Sequence, residues 1–246
     1  MKHLVFLVLI SGVLLFSSPI VASQKESDNQ NGSDKGPLTK LTFIHYKNNP
    51  VKPNGGGSVK PASCYGYLSN GARWKTTEGY VINPENPDGL SNAFIETALS
   101  QGINAWDSQV AFSIFGTGQI DYSADYQNGY NGFNEVSFGD YGNANVIAVT
   151  SIWGHFSGVQ SRRDIVEWDM LFNTGGDWEW DNGAAIPTLM DLQNIATHEL
   201  GHSAGMKDLY TTSCNQETMF GYSSEGEIFK RDLNRGDITG IQGLYK

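Results

Sequence analysis

Only two of the 246 residues are cysteine, and only 17% are charged. So few cysteines exclude a disulfide-built scaffold, and a chain of this length can bury a core without one. Positive charge is scarce: 16 Lys+Arg against 26 Asp+Glu leave a net charge of −10. That balance excludes a general phosphate-backbone binder, so no nucleic-acid partner is expected. No apolar run approaches about 18 residues, so neither a membrane-spanning helix nor stable membrane association is expected. Internal repeats are missing too. What is plentiful is glycine (29 residues) and aromatic side chains (12%). These rule out disorder of the whole chain and fit a loop-rich extracellular domain.

Residues 1–23 read as a secretory signal. Lys2 and His3 open it, an apolar run covers 4–16, and small residues around Val21-Ala22-Ser23 suit cleavage. The mature protein is therefore expected to be secreted, soluble and monomeric. Residues 24–62 read as a flexible polar leader. Within it, 41–46 fits a short strand, and 50–61, with Gly55-Gly56-Gly57, fits a loop. The folded domain is expected over 63–246.

Inside that domain Ser91 opens a helix, with Phe94, Ile95, Ala98, Leu99, Ile103 and Trp106 at helical spacing. Strand-type runs follow at 110–115, 135–138, 145–153 and 165–173. A second helix is expected to start near Thr188, with Thr188 and Asp191 as a capping box and Leu192, Ile195, Ala196 and Leu200 as its apolar face. A last short helix fits 235–245. Taken together these elements form one mixed domain of helices and strands.

The chemistry concentrates in Thr197-His198-Glu199-Leu200-Gly201-His202-Ser203-Ala204-Gly205-Met206-Lys207-Asp208. His198 and His202 stand four apart, so on a helix they share one face and can grip a Zn²⁺ ion. Glu199 beside them is placed to take a proton from a metal-bound water. Gly205 allows a sharp exit from the helix that returns Asp208 as a third ligand. Three protein ligands leave a fourth position for water, the arrangement of a hydrolytic rather than a structural site. The rival geometry takes Glu225 or Glu227 as third ligand, leaving Gly205 and Met219 without a role. The bland alternative is a surface helix with two unrelated histidines.

These residues resemble the metzincin clan of zinc endopeptidases, and the matrixins in particular. Thr218-Met219-Phe220-Gly221-Tyr222 matches the methionine turn, which implies that Met219 lies beneath the metal. Segments 147–150 and 165–173 resemble the family's last two sheet strands, and 236–245 its closing helix. The resemblance implies an α+β zincin fold: a twisted, mostly parallel five-stranded sheet with an antiparallel edge strand, an active-site helix and a C-terminal helix. Three departures stand out. Asp208 replaces the matrixins' third histidine, as in the snapalysin-like metzincins. The Pro-Arg-Cys-Gly latency motif is missing, and with so short a leader a full inhibitory prodomain is not expected. Gly236 stands where matrixins carry an aspartate.

Cys64 and Cys214, the two cysteines of an exported chain, are expected to pair; a zinc-blocking Cys64 thiolate and free thiols are the alternatives. His45 and His155 are isolated in sequence and read as surface or satisfied histidines. Asp121, Asp125, Asp140 and Asp177 lie in Gly/Asn/Tyr-rich loops, where Ca²⁺ is a second candidate cofactor beside Zn²⁺ and solvated carboxylates are the plainer reading. Tyr222 either reaches a cleft or packs under the loop after Met219, and residues 220–233 are expected to wall the substrate pocket.

The expectation is a secreted metalloprotease that hydrolyses peptide bonds with Glu199 as general base. Its partner is a protein or peptide substrate bound in extended form along the edge strand at 145–153. A non-catalytic extracellular binding module on the same scaffold, or a zinc amidase, are the alternatives. A strand at 145–153 paired on both sides would leave no room for substrate.

Overall fold

A computed structural model describes residues 35–47 and 64–246. The expected signal segment and most of the leader lie outside these described residues.

The chain order is β1 (Leu38–Lys47), β2 (Glu78–Ile82), α1 (Asn92–Asp107), β3 (Phe115–Ile120), β4 (Glu135–Gly139), β5 (Val146–His155), β6 (Asp164–Asn173), β7 (Trp180–Asp181), β8 (Met190–Asp191), α2 (Leu192–Ser203), β9 (Tyr222–Ser223) and α3 (Arg235–Leu244). One sheet holds seven strands in the order β3-β2-β4-β6-β5-β1-β9. Its first five are the expected set: β3, β2, β4 and β6 run parallel and β5 runs antiparallel to β6. The two further strands, β1 and β9, lie beyond β5. Strand β1 pairs antiparallel with β5 from Leu38↔His155 to Tyr46↔Val146 and parallel with β9 through Tyr46↔Tyr222. Strand β5 is therefore interior and not an edge.

The strand in the leader is longer than the apolar run at 41–46 implies. It begins at Leu38, inside the segment expected to be flexible, because the β5 backbone offers partners that local propensity cannot reveal. The run at 110–114 is loop and the strand starts only at Phe115. Helix α2 begins at Leu192, with Asp191 as N-cap accepting from Asn194 N, so Thr188 precedes the helix and forms no capping box with Asp191.

Ser91 caps α1 as expected, its hydroxyl accepting from Phe94 N. Ile95, Leu99 and Trp106 of α1 and Ile195, Ala196 and Leu200 of α2 pack with Trp168, Met170 and Phe172 of β6 in one buried core. The Trp106 indole donates to Thr197 O at 2.8 Å, tying α1 to the middle of α2. Helix α2 is buried on nearly every side: the core takes its apolar stripe, while β1 and the turn around Met219 cover the histidine face.

Candidate active site

His198 and His202 project from α2 as their spacing requires, and the backbone sets their tautomers. His198 Nδ1 lies 2.7 Å from Thr218 O and His202 Nδ1 lies 3.1 Å from Met206 O. A carbonyl can only accept, so both Nδ1 atoms donate, and in the neutral rings each Nε2 carries a lone pair. Asp208 Oδ1 stands 3.2 Å from His198 Nε2 and 3.3 Å from His202 Nε2. His198 Nε2 and Asp208 Oδ1 are both buried without a hydrogen-bond partner. Two orphaned ligand atoms facing each other, one on an imidazole and one on a carboxylate, suit a divalent cation.

The turn that returns Asp208 depends on glycine. Gly205 has φ +101°, and a Cβ there would lie 2.6 Å from Ala72 O. Met219 lies under α2 at Gly201, where a Cβ would come within 2.2 Å of the methionine sulfur. The methionine turn is itself anchored: Asp237 accepts from Thr218 N at 2.6 Å and from Met219 N at 3.2 Å. Arg235-Gly236-Asp237 is thus the start of α3, with Asp237 buried. The glycine at 236 lets Cys64 O approach to 2.2 Å from where a Cβ would sit. Cys64 and Cys214 form a disulfide, with Cα atoms 5.5 Å apart.

Glu199 is fully buried and both its oxygens are engaged. Thr150 Oγ1 of β5 donates to Oε2 at 2.6 Å, and His45 Nδ1 of β1 lies 3.0 Å from Oε1. Burial alone would raise this carboxyl; the His45 hydrogen bond and the neighbouring His198 overcome that and hold it below its ordinary value. Burial, with His198, pushes His45 down to about 3, so its ring is neutral and Nδ1 carries the donated proton. His45 is therefore a satisfied histidine, one of the two readings of its sequence context, but a buried one and not at the surface. No local signal could have located it, because its partners lie 154 and 178 positions away. His45, His198 and Glu199 also form a second group whose ligand-type atoms lie within 4.8 Å of one another, beside the His198–His202–Asp208 group.

Other sequence candidates fall elsewhere. His155 Nδ1 pairs with Asp164 at 2.6 Å. Glu225 pairs with Lys47 and Glu227 with buried Lys230, so neither belongs to the His198–His202 group. Asp121, Asp125 and Asp140 accept N–H groups of their own loops, and among the described residues no metal-type cluster includes them or Asp177. Tyr222 packs between the rings of Tyr210 and Phe220. Tyr210, which drew no notice in the sequence, donates its hydroxyl to Asp208 Oδ2 at 3.0 Å. Phe220, Tyr222 and Phe229, from the stretch expected to wall the pocket, line a cavity of about 300 Å³.

The matrixin family model, a peptidase family, matches residues 73–246. The chain belongs to the matrixins. No curated protein matches it. Membership makes this matrixin a member of a zinc-dependent metalloendopeptidase family, and its α+β sheet agrees with that fold. The matched region begins at Arg73, so it holds every element from β2 to α3 and leaves out β1.

Proposed function

We propose that this matrixin is a secreted zinc endopeptidase in which His198, His202 and Asp208 hold the metal and Glu199 is the general base. The observation that carries the reading is the convergence of three ligand-type atoms within 4.8 Å of one another, both imidazoles being oriented by backbone carbonyls. Bound there, zinc supplies Lewis-acid polarisation of a water and of the scissile carbonyl. Glu199 takes the proton from the attacking water and returns it to the leaving amine. Thr150 holds the carboxylate in place for both transfers. Asp208 makes the site harder and more negative than three histidines would, which lowers the acidity of the water. Secretion is supported by the apolar N-terminal run and by the Cys64–Cys214 disulfide.

The substrate is a protein segment in extended form, and the protein works as a monomer. Cleavage of casein or gelatin that a chelator abolishes separates this reading from a binding module. Glu199→Gln should keep zinc content and fold while losing about 10²–10⁴-fold in turnover. Full activity in that variant would overturn the mechanism.

A further inference from the structure

A hollow of about 320 Å³ opens beside the last turn of α3, lined by Tyr67, Arg73, Lys75, Gln160, Ser161 and Leu244. None of these residues belongs to the His198–His202–Asp208 group. The lining carries two cations and no carboxylate, in a chain of net charge −10. Two more cations, Arg162 and Arg163, follow Ser161 directly.

The polar groups here are mostly unused donors. Among the described residues Lys75 Nζ, Tyr67 Oη and Ser161 Oγ have no hydrogen-bond or ion-pair partner. Arg73 gives Nη1 to Leu244 O at the end of α3, which leaves the rest of its planar fork free. Gln160 is tied to Asn70 O at 2.8 Å and forms a wall. Glycine keeps the space open: a Cβ at Gly243 would lie 2.5 Å from Tyr67 Oη.

The charge here is also uncompensated. Burial and then the Arg73 cation lower the pKa of Lys75, with Lys35 adding to this and Asp164 opposing. Asp164 is already engaged by Lys35 at 2.5 Å and by His155 at 2.6 Å. Two cations on one hollow with no carboxylate among its walls attract an anion. Donors on four separate side chains suit the tetrahedral oxygens of a phosphate or sulfate better than a planar carboxylate. The hollow lies at the small end of ligand sites, with room for such a group and little beyond a sugar ring. A long polyanion would run out onto a net-acidic surface.

We propose that this hollow binds the phosphate or sulfate group of a small ligand, either the free ion or a monoester, through Arg73, Lys75, Tyr67 and Ser161. The site does not depend on the zinc-peptidase reading.

Calorimetric titration of the full chain with inorganic phosphate, inorganic sulfate, glucose 6-phosphate and glucose tests this. The oxyanion probes should bind and glucose should not. Equal binding of inorganic phosphate and glucose 6-phosphate assigns the free ion, and a preference for the ester assigns a small organic ligand; both support the site. Lys75→Ala should weaken binding at least about tenfold through loss of a charge-assisted hydrogen bond. Arg73→Lys keeps the charge but loses the fork, and should weaken binding as well. Arg235→Ala removes one positive charge at the opposite end of α3 and should leave binding unchanged. Lys75 is exposed and unpartnered, so an unchanged Tm is expected for Lys75→Ala and separates lost binding from lost fold. Undiminished binding in Lys75→Ala, an equal loss in Arg235→Ala, or uptake of none of the oxyanions would overturn the proposal. So would binding of long-chain polyphosphate in preference to every small probe.

Discussion

His45 and Glu199, 154 positions apart, meet at 3.0 Å in the fully buried centre of the site. The contact joins the strand outside the family-matched region to the buried carboxylate that we propose as general base. Thr150 holds the other oxygen of the same group, so Glu199 is oriented from β5 and contacted from β1.

In the proposed mechanism Thr150 acts through Glu199, as a positioning residue. Thr150→Val keeps the shape and removes the donor, leaving a buried carboxylate one hydrogen bond short, a loss of about 1–3 kcal/mol. Turnover should fall about tenfold or more at unchanged KM and zinc content. A change in KM alone would indicate a packing role.

Asp208→Ala should cost zinc affinity more than loss of a supporting residue does. Removing an outer-shell partner typically costs about 10–100-fold, so loss of the carboxylate itself should reach about 100-fold or more in competition with a chromophoric chelator. Tyr210→Phe, which removes the hydroxyl donated to Asp208, should fall within the lower range. Unchanged affinity in Asp208→Ala would exclude it as a ligand.

Gly201→Ala forces a methyl group against the Met219 sulfur and the Trp106 ring, at 2.2 and 2.6 Å. Overpacking of this kind costs about 1–3 kcal/mol. Combining it with Met219→Ala should recover part of that loss, read as coupling in a double-mutant cycle of denaturation midpoints. Simple additivity would mean that the two residues do not meet.

Cys64→Ser with Cys214→Ser opens a loop spanning 150 residues. In the chain-entropy model the loss is up to about 5 kcal/mol, and Tm should drop accordingly. Because Cys64 O also packs against Gly236, the start of α3 should lose hydrogen-exchange protection first.

Asp169, with Glu167 and Glu135 nearby, is raised from 3.8 to about 8, chiefly by burial and then by those two carboxylates, with Lys40 opposing. Between those values the folded chain holds a proton that the unfolded chain has released. Stability is therefore greatest, in respect of this group, below about pH 4 and declines as pH rises towards 8, by up to about 1.4 kcal/mol per pH unit. Asp169→Asn should flatten that decline in urea titrations taken across the range. An unchanged slope would show that Asp169 is ionised in the folded state.

The candidate metal site was legible in the sequence because its order is local. Helical spacing alone aligns His198 with His202, and one glycine at φ +101° returns Asp208 within a few residues. The two main helices were legible for the same reason, as was the five-stranded core of the sheet through the family resemblance. The partners of Glu199 were not. His45 sits in a short apolar run whose pairing energy comes from β5, more than a hundred residues on, and Thr150 is one more β-branched residue in a strand. Buried Lys230, which donates to Tyr222 O and to Ser223 Oγ at 2.5 and 2.7 Å, likewise gave no local sign. Periodicity within a helix is written in adjacent residues, whereas strand pairing is a choice among distant backbones. The sequence alone therefore determined which groups could do the chemistry, and only the tertiary structure decided that β5 has no free edge and that β1 covers the site.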